Sequence, residues 1–354
     1  MAVDASVFRI LDASLNRATE GLRVVEDYAR FALSDRHAAE RAKQLRHRLA
    51  TAAKAVAHAD RFRSRDTPGD VGTTITTDSE VTRADPAAVA AASLERTKQA
   101  LRSLEEYGKT LDPAFAAEVE SLRYELYTLE KRLGIAAGAR RRLEHARLYV
   151  LVDGGVSTEA FRESVFGLVE AGADLLQLRD KRLTDRQLAE RAELLVELTR
   201  GAETLAIIND RADIAAAVKA DGVHVGQDEL PVAHARKIVG TGRLIGVSTH
   251  SIDQARRAAD DGADYLGAGP TFPSRTKQFE QFPGLDYLRE VAAEVALPTF
   301  AIGGISIENL DEVLATGIQR VAVASAVTAA ADPPAAVKSL KARLSTADGP
   351  PPVA

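Results

Sequence analysis

The chain has 354 residues, 45% of them hydrophobic, and a formal net charge of −5, so it is long enough for two domains with apolar cores. This charge argues against nucleic acid as the main partner. The absence of cysteine excludes disulfides, thiolate metal sites and cysteine nucleophiles. No apolar run approaches the length of a membrane span, and residues 1–9 lack a signal-peptide pattern. We therefore expect a cytoplasmic protein that does not interact with a membrane.

Residues 1–135 are predicted to form a helical domain, because apolar residues recur there at helical spacing. Asp85 and Asp112 each precede a proline and are candidate caps of the third and fourth helices. Residues 136–147 contain three consecutive arginines and are predicted to link this domain to the next. The predicted helices are Phe8–Leu33, Ala38–Ala59, Pro86–Leu111 and Pro113–Leu133, and the predicted loop is Ser64–Thr82.

An internal repeat with a constant offset of 79 residues lies in this helical half. The first copy, Ala13-Ser14-Leu15-x-Arg17 followed by Leu22-Arg23-x-x-Glu26, recurs as Ala92-Ser93-Leu94-x-Arg96 followed by Leu101-Arg102-x-x-Glu105. One interpretation is a pseudo-symmetric pair of packed helices with Arg–Glu pairs on solvated faces. The alternative is that these charged residues converge on a polar, phosphate-bearing ligand, because guanidinium groups bind phosphate in a bidentate manner. The residues concerned are Arg17, Arg23, Glu26, Arg96, Arg102 and Glu105.

Residues 148–345 are predicted to form a (β/α)₈ barrel. Eight short apolar runs alternate with helical patterns, as expected for strands of a parallel sheet that are buried on both faces. Eight such units in roughly 200 residues match the small end of the barrel size range. A doubly wound open sheet is the alternative, and residues 346–354 are predicted to be a disordered tail. The runs are Leu148–Asp153, Asp174–Asp180, Thr204–Asp210, Gly222–Gly226, Leu244–Thr249, Ala263–Gly269, Pro298–Gly304 and Arg320–Ala326.

Polar residues follow most of these strands, at the end of the barrel where active sites lie. Alternation along the second strand places Gln177, Arg179 and Lys181 on one side. Two cations on one side of a buried strand are costly unless an anion compensates them. A surface cluster of ion pairs is the alternative, but the pattern favours an anion-binding site.

Carboxylates follow the third and fourth strands. Asn209-Asp210 ends the third run, and Gln227-Asp228-Glu229 comes directly after the fourth. Carboxylates from neighbouring strands suit Mg²⁺, which proteins usually bind through one or two carboxylates together with substrate phosphates. His224 lies within the fourth run and is expected to be an ordinary histidine of the barrel wall.

A second anion-binding region is predicted on the loops after the last three strands. Gly269–Lys277 places small hydroxyl side chains beside Lys277. Gly303-Gly304 and Ala324-Ser325 match the phosphate site that barrels build from their last two loops and a helix N-terminus. Two regions of this kind predict two phosphorylated substrates, one of them bound together with a metal ion.

In the order and spacing of these pieces, residues 148–344 resemble thiamine phosphate synthase. The resemblance implies a transferase that joins 4-amino-5-hydroxymethyl-2-methylpyrimidine diphosphate to a thiazole phosphate and releases diphosphate, with Mg²⁺ as cofactor. The departure of diphosphate would leave a pyrimidinylmethyl cation, so no covalent nucleophile is required. The matching segments are Gln177–Lys181, Asn209-Asp210, Asp221–Gln227, Gly246–His250, Gly269–Lys277, Ile302–Ile305 and Val323–Ala326.

The resemblance also implies the site residues. Arg179, Ser248 and Lys277 are the implied catalytic residues, and Asp210 and Glu229 are the implied metal ligands. The acidic pair Asp228-Glu229 departs from the usual order of the family, which leaves open whether Asp228 is the second ligand instead. The implied substrate-binding residues are Gln177, Leu178, Arg179, Asp180, Lys181, Asn209, Ser248, Ser274, Arg275, Thr276, Lys277, Gly304, Ala324 and Ser325.

The N-terminal half resembles the helical domain that precedes this synthase in some bacteria and is associated with phosphorylation of the pyrimidine monophosphate. Such an activity would require ATP, although the segment contains no P-loop. The alternatives are an oligomerisation module in this half and a thiazole tautomerase activity in the barrel. Nothing in the sequence indicates the oligomeric state. The matching segments are Asn16-Arg17, Glu20–Asp27, Asp70–Thr73 and Leu101–Glu106.

Overall fold

The computed structural model of the chain describes residues 4–56, 58–67, 69–70, 82–273 and 283–346. The chain divides into two compact units, Met1–Gly134 and Ile135–Ala354. None of the helices in these ranges combines the length and the apolar character that crossing a bilayer requires. The predicted tail falls almost entirely outside the described residues.

The first unit is helical, as the sequence predicts. A π-helical turn, Tyr28–Ala32, follows the first helix. The Asp85 carboxylate accepts a hydrogen bond from Ala88 N at 2.7 Å, and the Asp112 carboxylate accepts one from Ala114 N at 2.8 Å, which confirms both predicted caps. The helices are α1 (Ala5–Asp27), α2 (Arg36–Ala52), α3 (His58–Ser64), α4 (Pro86–Gly108) and α5 (Pro113–Arg142).

Two boundaries in this unit differ from the prediction. The single helix predicted over 38–59 is divided, because α2 ends in a short 3₁₀ turn, Ala53–Ala55, and Val56 then adopts an extended backbone. Residues 136–142, predicted as part of a linker, instead continue α5. Ala136 and Ala139 are buried on one side of this helix, so its alanines and arginines extend the helical pattern rather than interrupt it.

The two copies of the repeat form helices α1 and α4, which cross at small residues. A Cβ atom added to Gly21 would lie 2.1 Å from Thr97 Oγ1 and 3.1 Å from the carbonyl oxygen of Ser93. The residues equivalent to Thr97 and Gly21 in the other copy, Ala18 and Ala100, are also small and buried. The repeat therefore supplies small side chains on both sides of a close helix crossing, as the first interpretation predicts.

The second unit is a closed barrel of eight parallel strands in sequential order, which confirms the predicted fold and excludes the open sheet. The barrel closes where β1 pairs with β8, with Leu148 opposite Val321. The strands are β1 (Leu148–Val152), β2 (Leu175–Leu178), β3 (Leu205–Asn209), β4 (Gly222–Val225), β5 (Leu244–Thr249), β6 (Tyr265–Ala268), β7 (Thr299–Ile302) and β8 (Val321–Val323).

Alternate residues of the strands form two separate cores. One set packs with the surrounding helices, and the other forms a cluster that includes Tyr149, Tyr265 and Phe300. The Phe300 ring lies edge-on to both tyrosines, with centroid distances of 5.3 and 5.7 Å, so aromatic rings fill the barrel interior. The helices are α6 (Thr158–Glu170), α7 (Asp185–Thr199), α8 (Ala212–Ala217), α9 (Val232–Val239), α10 (Ile252–Asp261), α11 (Gly284–Glu294), α12 (Leu310–Leu314), α13 (Ser325–Thr328) and α14 (Pro333–Ser345).

Candidate active site

A chain of hydrogen-bonding side chains crosses the barrel interior below the strand ends. Gln177 Nε2 donates to the Tyr149 hydroxyl, which lies 3.1 Å from the Tyr265 hydroxyl. His224 Nδ1 lies 3.3 Å from the Tyr265 hydroxyl, and His224 Nε2 lies 2.9 Å from Ser248 Oγ. All of these residues except Ser248 are buried. The network therefore orients two of the expected site residues, Gln177 and Ser248, through groups that solvent does not reach.

His224 is the titratable member of this network. Burial, together with the positive charge of Arg179, lowers the pKa of His224 to about 4. The imidazole is therefore neutral near pH 7, so one ring nitrogen donates a hydrogen bond and the other accepts one. His224 is therefore a histidine of the barrel wall, as the sequence predicts. It also has a specific contact, since its neutral ring lies within hydrogen-bond distance of Ser248.

Two carboxylates and one ammonium group come together at the ends of β2, β3 and β4. Lys181 Nζ lies 3.6 Å from Asp210 Oδ2 and 3.7 Å from Glu229 Oε1. Burial and the negative charge of Glu229 raise the pKa of Asp210. Asp228 is exposed, whereas Glu229 is partly buried and turns back toward Gly226. The geometry thus groups Glu229, rather than Asp228, with Asp210.

Asp210 has an unusual backbone conformation. Its φ is +59°, in the left-handed region that aspartate tolerates better than most residues other than glycine. Its amide nitrogen donates to the carbonyl oxygen of His224 at 2.8 Å, which ties the end of β3 to β4. Strained conformations of this kind persist where the surrounding structure imposes them, often at functional sites. Here the conformation places the carboxylate of Asp210 beside Lys181.

Two expected site residues at the end of β2, Leu178 and Asp180, make structural contacts and do not line an open site. The Leu178 side chain is fully buried in the core shared with the helices. The Asp180 carboxylate accepts hydrogen bonds from Gly154 N at 3.1 Å and from Arg182 Nη2 at 2.8 Å, and these contacts hold the pKa of Asp180 far below its usual value. A substrate contact by Leu178 would have to use its backbone. Arg179 and Lys181 are exposed.

The loops after β6 and β7 are joined backbone to backbone. Phe272 N donates to the carbonyl oxygen of Gly303 at 2.9 Å. Gly304 has a φ of +67°, and a Cβ atom there would lie 3.0 Å from the carbonyl oxygens of both Phe272 and Pro273. Position 304 therefore requires glycine, both because of its backbone conformation and because the loop after β6 approaches it closely. Gly304 itself is exposed.

The end of β8 completes this side of the barrel. Strand β8 pairs with β7, and Ala324 and Ser325 are exposed immediately after β8. They lie at the same end of the barrel as Gly304, because parallel strands bring their carboxyl ends to one face. The remaining expected residues, Ser274, Arg275, Thr276 and Lys277, lie outside the described residues.

Most charged residues of the helical repeat form ion pairs within the helical unit, whereas Arg17 and Arg96 are exposed and form no ion pair with any described residue. In each copy a buried glutamate pairs with an arginine of its own helix and with an arginine of the next helix. The pairing agrees with the first interpretation, except that the glutamates are buried while Arg23 and Arg102 are half exposed. The second interpretation stays a prediction for Arg17 and Arg96. The N–O distances are 3.9 Å for Arg23–Glu26, 3.0 Å for Arg46–Glu26, 2.7 Å for Arg102–Glu105 and 2.9 Å for Arg123–Glu105.

Sequence reasoning missed the two tyrosines of the interior network. Tyr149 and Tyr265 lie in runs that are otherwise apolar, so periodicity marks them only as core residues. A usable signal exists, because a buried tyrosine hydroxyl ordinarily requires a hydrogen-bond partner. Two tyrosines inside barrel strands, together with His224 and Gln177, indicate a polar network.

Comparisons with known proteins agree with this geometry. The model of the thiamine monophosphate synthase family matches residues 148–327, and that of the ThiD2 family matches residues 9–132. The chain is 49% identical to a thiamine-phosphate synthase of Rhodopirellula baltica over 92% of this chain and 89% of the relative. It is 43% identical to one from Synechocystis over 97% and 98%.

A solved structure covers the barrel. The thiamine phosphate pyrophosphorylase of Pyrococcus furiosus is 38% identical, with a TM-score of 0.54, and the match covers 59% of this chain and all of that one. The similarity to the curated relatives extends through both units of the chain. The chain therefore belongs to the thiamine-phosphate synthase family of transferases.

Proposed function

We propose that the barrel condenses 4-amino-5-hydroxymethyl-2-methylpyrimidine diphosphate with thiazole phosphate at the carboxyl end of its strands. The observation that carries this proposal is the grouping of Asp210 and Glu229 around Lys181, beside the neutral network that ends at Ser248. A carboxylate pair with adjacent cations suits a metal-bound diphosphate. The exposed glycine loop after β7 and the end of β8 offer a separate place for the second phosphate.

The pyrimidine diphosphate would lie over the ends of β2 to β5. Gln177, Asn209 and Ser248 supply hydrogen-bonding groups for the ring, and their positions are constrained by the strands that carry them. Arg179 and Lys181 supply positive charge for the diphosphate. Lys277 has the same role in this proposal, which rests for that residue on the family resemblance alone.

Mg²⁺ fits the donor set of this region. Asp210 and Glu229 provide two carboxylates, the number that Mg²⁺ usually takes from a protein when substrate phosphates complete its coordination. The Lys181 ammonium group lies between the two carboxylates, so their arrangement is compatible with a positive charge at that place. When bound by these residues and the diphosphate, Mg²⁺ would stabilise the negative charge of the leaving group.

The reaction requires a positioned leaving group and a positioned nucleophile. The bond between the pyrimidine methylene carbon and the diphosphate oxygen breaks, and its electron pair leaves with diphosphate. The thiazole nitrogen then forms the new bond to that carbon with its own lone pair. Arg179 and Lys181 would stabilise the departing charge, and the backbone at Gly304, Ala324 and Ser325 would bind the thiazole phosphate. The chain contributes no covalent bond.

A coupled measurement tests this proposal against the tautomerase alternative. The full chain is mixed with pyrimidine diphosphate, thiazole phosphate and Mg²⁺, and thiamine phosphate and diphosphate are quantified. We expect equal amounts of both products and a loss of turnover with a chelator. Isomerisation of the thiazole phosphate without any thiamine phosphate would overturn the proposal. The presence of Arg179, Lys181, Asn209 and Asp210 favours the synthase, because an isomerase has no diphosphate to bind.

We further propose that the helical unit phosphorylates the pyrimidine monophosphate to the diphosphate that the barrel consumes. The supporting observation is the match of residues 9–132 to a separate family, which indicates more than a helical spacer. The test supplies the full chain with pyrimidine monophosphate, ATP and Mg²⁺ but no thiazole phosphate, so that any diphosphate accumulates. The absence of pyrimidine diphosphate from a preparation with full synthase activity would favour the scaffold alternative.

A further inference from the structure

A cleft of about 650 Å³ lies within the helical unit. It is formed by the first half of α1, the segment that follows α3 and the last turns of α4, so it uses both copies of the repeat. Its volume lies within the range of small-molecule binding sites. The lining side chains on which the argument depends are Arg9, Asp12, Asn16, Arg17, Ser103 and Tyr107.

Charged groups of both signs line this cleft, and they are Arg9, Arg17, Arg65, Asp12, Asp66 and Asp70. The Asp12 side chain is only 10% exposed, and its Oδ2 accepts a hydrogen bond from Arg65 Nε at 2.8 Å. Its Oδ1 lies 4.0 Å from Nη1 of Arg61, a buried residue whose pKa is lowered by that burial. One carboxylate therefore faces two guanidinium groups.

Arg17 is the guanidinium at the cleft that is available to a ligand. It forms no ion pair with any residue in the described ranges, whereas Arg65 is held by Asp12. Arg9 approaches Asp66 at 3.8 Å. A planar guanidinium without a carboxylate partner is well suited to bind a phosphate group through two parallel hydrogen bonds.

The internal repeat shows that the helix pair does not need these polar side chains. Arg9 and Asp12 correspond to Ala88 and Ala91 in the second copy, and Ser103 corresponds to Val24 in the first. The same crossing of two helices thus accommodates apolar residues at the equivalent positions. At these three positions the polar groups lie on one side of the pseudo-symmetric pair, whereas Asn16 and Arg17 correspond to the polar residues Glu95 and Arg96.

We infer that this cleft is the binding site of a phosphorylated heterocycle, with the phosphate at Arg17 and the ring beside Tyr107. The Tyr107 side chain offers a partly exposed aromatic face, and the Asn16 amide and the Ser103 hydroxyl offer hydrogen bonds to ring nitrogens. The site rests on the proposed kinase function, since that function supplies the substrate class.

Hydrogen exchange of the full chain, resolved by peptide, tests the location of binding. The probe is 4-amino-5-hydroxymethyl-2-methylpyrimidine monophosphate without ATP, titrated to about 1 mM, the upper end of ordinary substrate affinities. We expect slower exchange in peptides that cover residues 6–17 and 100–108. Protection confined to barrel peptides, or no protection, would overturn the inference.

The repeat supplies a matched control for the arginine. Arg17→Ala is expected to raise the monophosphate concentration needed for half protection by about tenfold, the scale of one charge-assisted hydrogen bond. Arg96→Ala removes the equivalent exposed arginine of the second copy and is expected to have no effect. Ser103→Val, which introduces the residue found at the equivalent position 24, should weaken binding several-fold without loss of folding. Equal affinities in all three variants would overturn the site.

The same variants separate this inference from the kinase proposal. If ATP and monophosphate yield diphosphate equally well with Arg17→Ala and Arg96→Ala, the cleft is not the site, although the kinase proposal stands. If the cleft is protected but no diphosphate forms, the kinase proposal is wrong and the binding site stands. Synthase activity with supplied pyrimidine diphosphate should stay unchanged in each variant, which shows that the barrel is intact, and the exchange of α4 and α5 amides without ligand shows that the helical unit is folded.

Discussion

The barrel and the helical unit use similar charged residues in opposite ways. At the strand ends, Asp210, Glu229 and Lys181 come from three different segments that the topology brings together, and Lys181 is 64% exposed while the carboxylates are 23% and 31% exposed. In the helical unit, Glu26 and Glu105 are buried against arginines of neighbouring helices. Charged residues at the carboxyl ends of parallel strands thus indicate a binding site. Arginine and glutamate residues at helical spacing indicate ion pairs between packed helices, unless a cleft lies beside them.

The largest effect that this comparison predicts is on the stability of the helical unit. Glu105 is 3% exposed and pairs with Arg123 at 2.9 Å and with Arg102 at 2.7 Å. We expect Glu105→Gln to lower the free energy of unfolding of this unit by about 3–5 kcal/mol, because a buried guanidinium loses its counter-charge. The measurement is hydrogen exchange of α4 and α5 amides as urea is raised.

Glu106→Gln is the matched control on the same turn of the helix. Glu106 is 43% exposed and pairs with Arg102 and Lys109, so its loss should lower the stability of the unit much less than the loss of Glu105. Synthase activity from supplied diphosphate should be the same in both variants. Equal stability of the two variants would show that the buried carboxylate stabilises the unit no more than the exposed one. The contrast drawn between the helical unit and the barrel would then be wrong.

The second effect is a dependence of barrel stability on pH through His224. Its pKa falls from an ordinary 6.5 to about 4 on burial, so between these values the unfolded chain binds the proton more readily. The contribution of the neutral His224 ring to the free energy of unfolding is therefore fully present above about pH 6.5. It is lost as the pH falls toward 4, and its total size is about 3 kcal/mol. His224→Gln keeps hydrogen-bonding groups but does not titrate in this range.

Unfolding of the parent chain and of His224→Gln at pH 7 and pH 4.5 isolates this contribution. The stability difference between the two proteins should narrow at the lower pH, since only the parent loses the histidine contribution there. A difference that is independent of pH would mean that His224 binds a proton as readily in the folded protein as in the unfolded chain, so that its pKa is not lowered by burial.

The fold and much of the candidate site could be predicted because the barrel repeats one simple rule. Apolar runs such as Thr204–Asp210 and Leu244–Thr249 mark buried strands, and the polar residues at and after their ends must meet at one face. Contacts across the barrel, such as Tyr149 with Tyr265, could not be predicted, because periodicity does not reveal which side chains face one another through the interior. The cleft beside Arg17 was hidden for a related reason, since it depends on which helices pack together.

The third effect concerns turnover in the barrel. Asp210→Asn should lower Mg²⁺-dependent formation of thiamine phosphate by about 10², the scale of losing one preorganised charge contact. Asparagine is chosen because it also tolerates the left-handed backbone of this position, where φ is +59°. Asp213→Asn is the control, because Asp213 lies three residues away and pairs with Arg211 at 2.7 Å. A decrease of the same size in both variants would point to a folding defect rather than to a lost metal ligand.

The smallest predicted effect decides which acidic residue after β4 acts with Asp210. Glu229 Oε1 lies 3.7 Å from Lys181 Nζ, the same group that Asp210 approaches, whereas Asp228 is exposed. We therefore expect Glu229→Gln to lower turnover about tenfold and to raise the Mg²⁺ concentration needed for half-maximal activity. Asp228→Asn should change either quantity less than twofold, because its carboxylate is screened by solvent. The comparison is made at several Mg²⁺ concentrations with saturating thiazole phosphate, so that only the metal and diphosphate region is measured. The reverse order of effects would mean that the side chains exchange positions when Mg²⁺ and diphosphate bind, and that Asp228 is the second ligand.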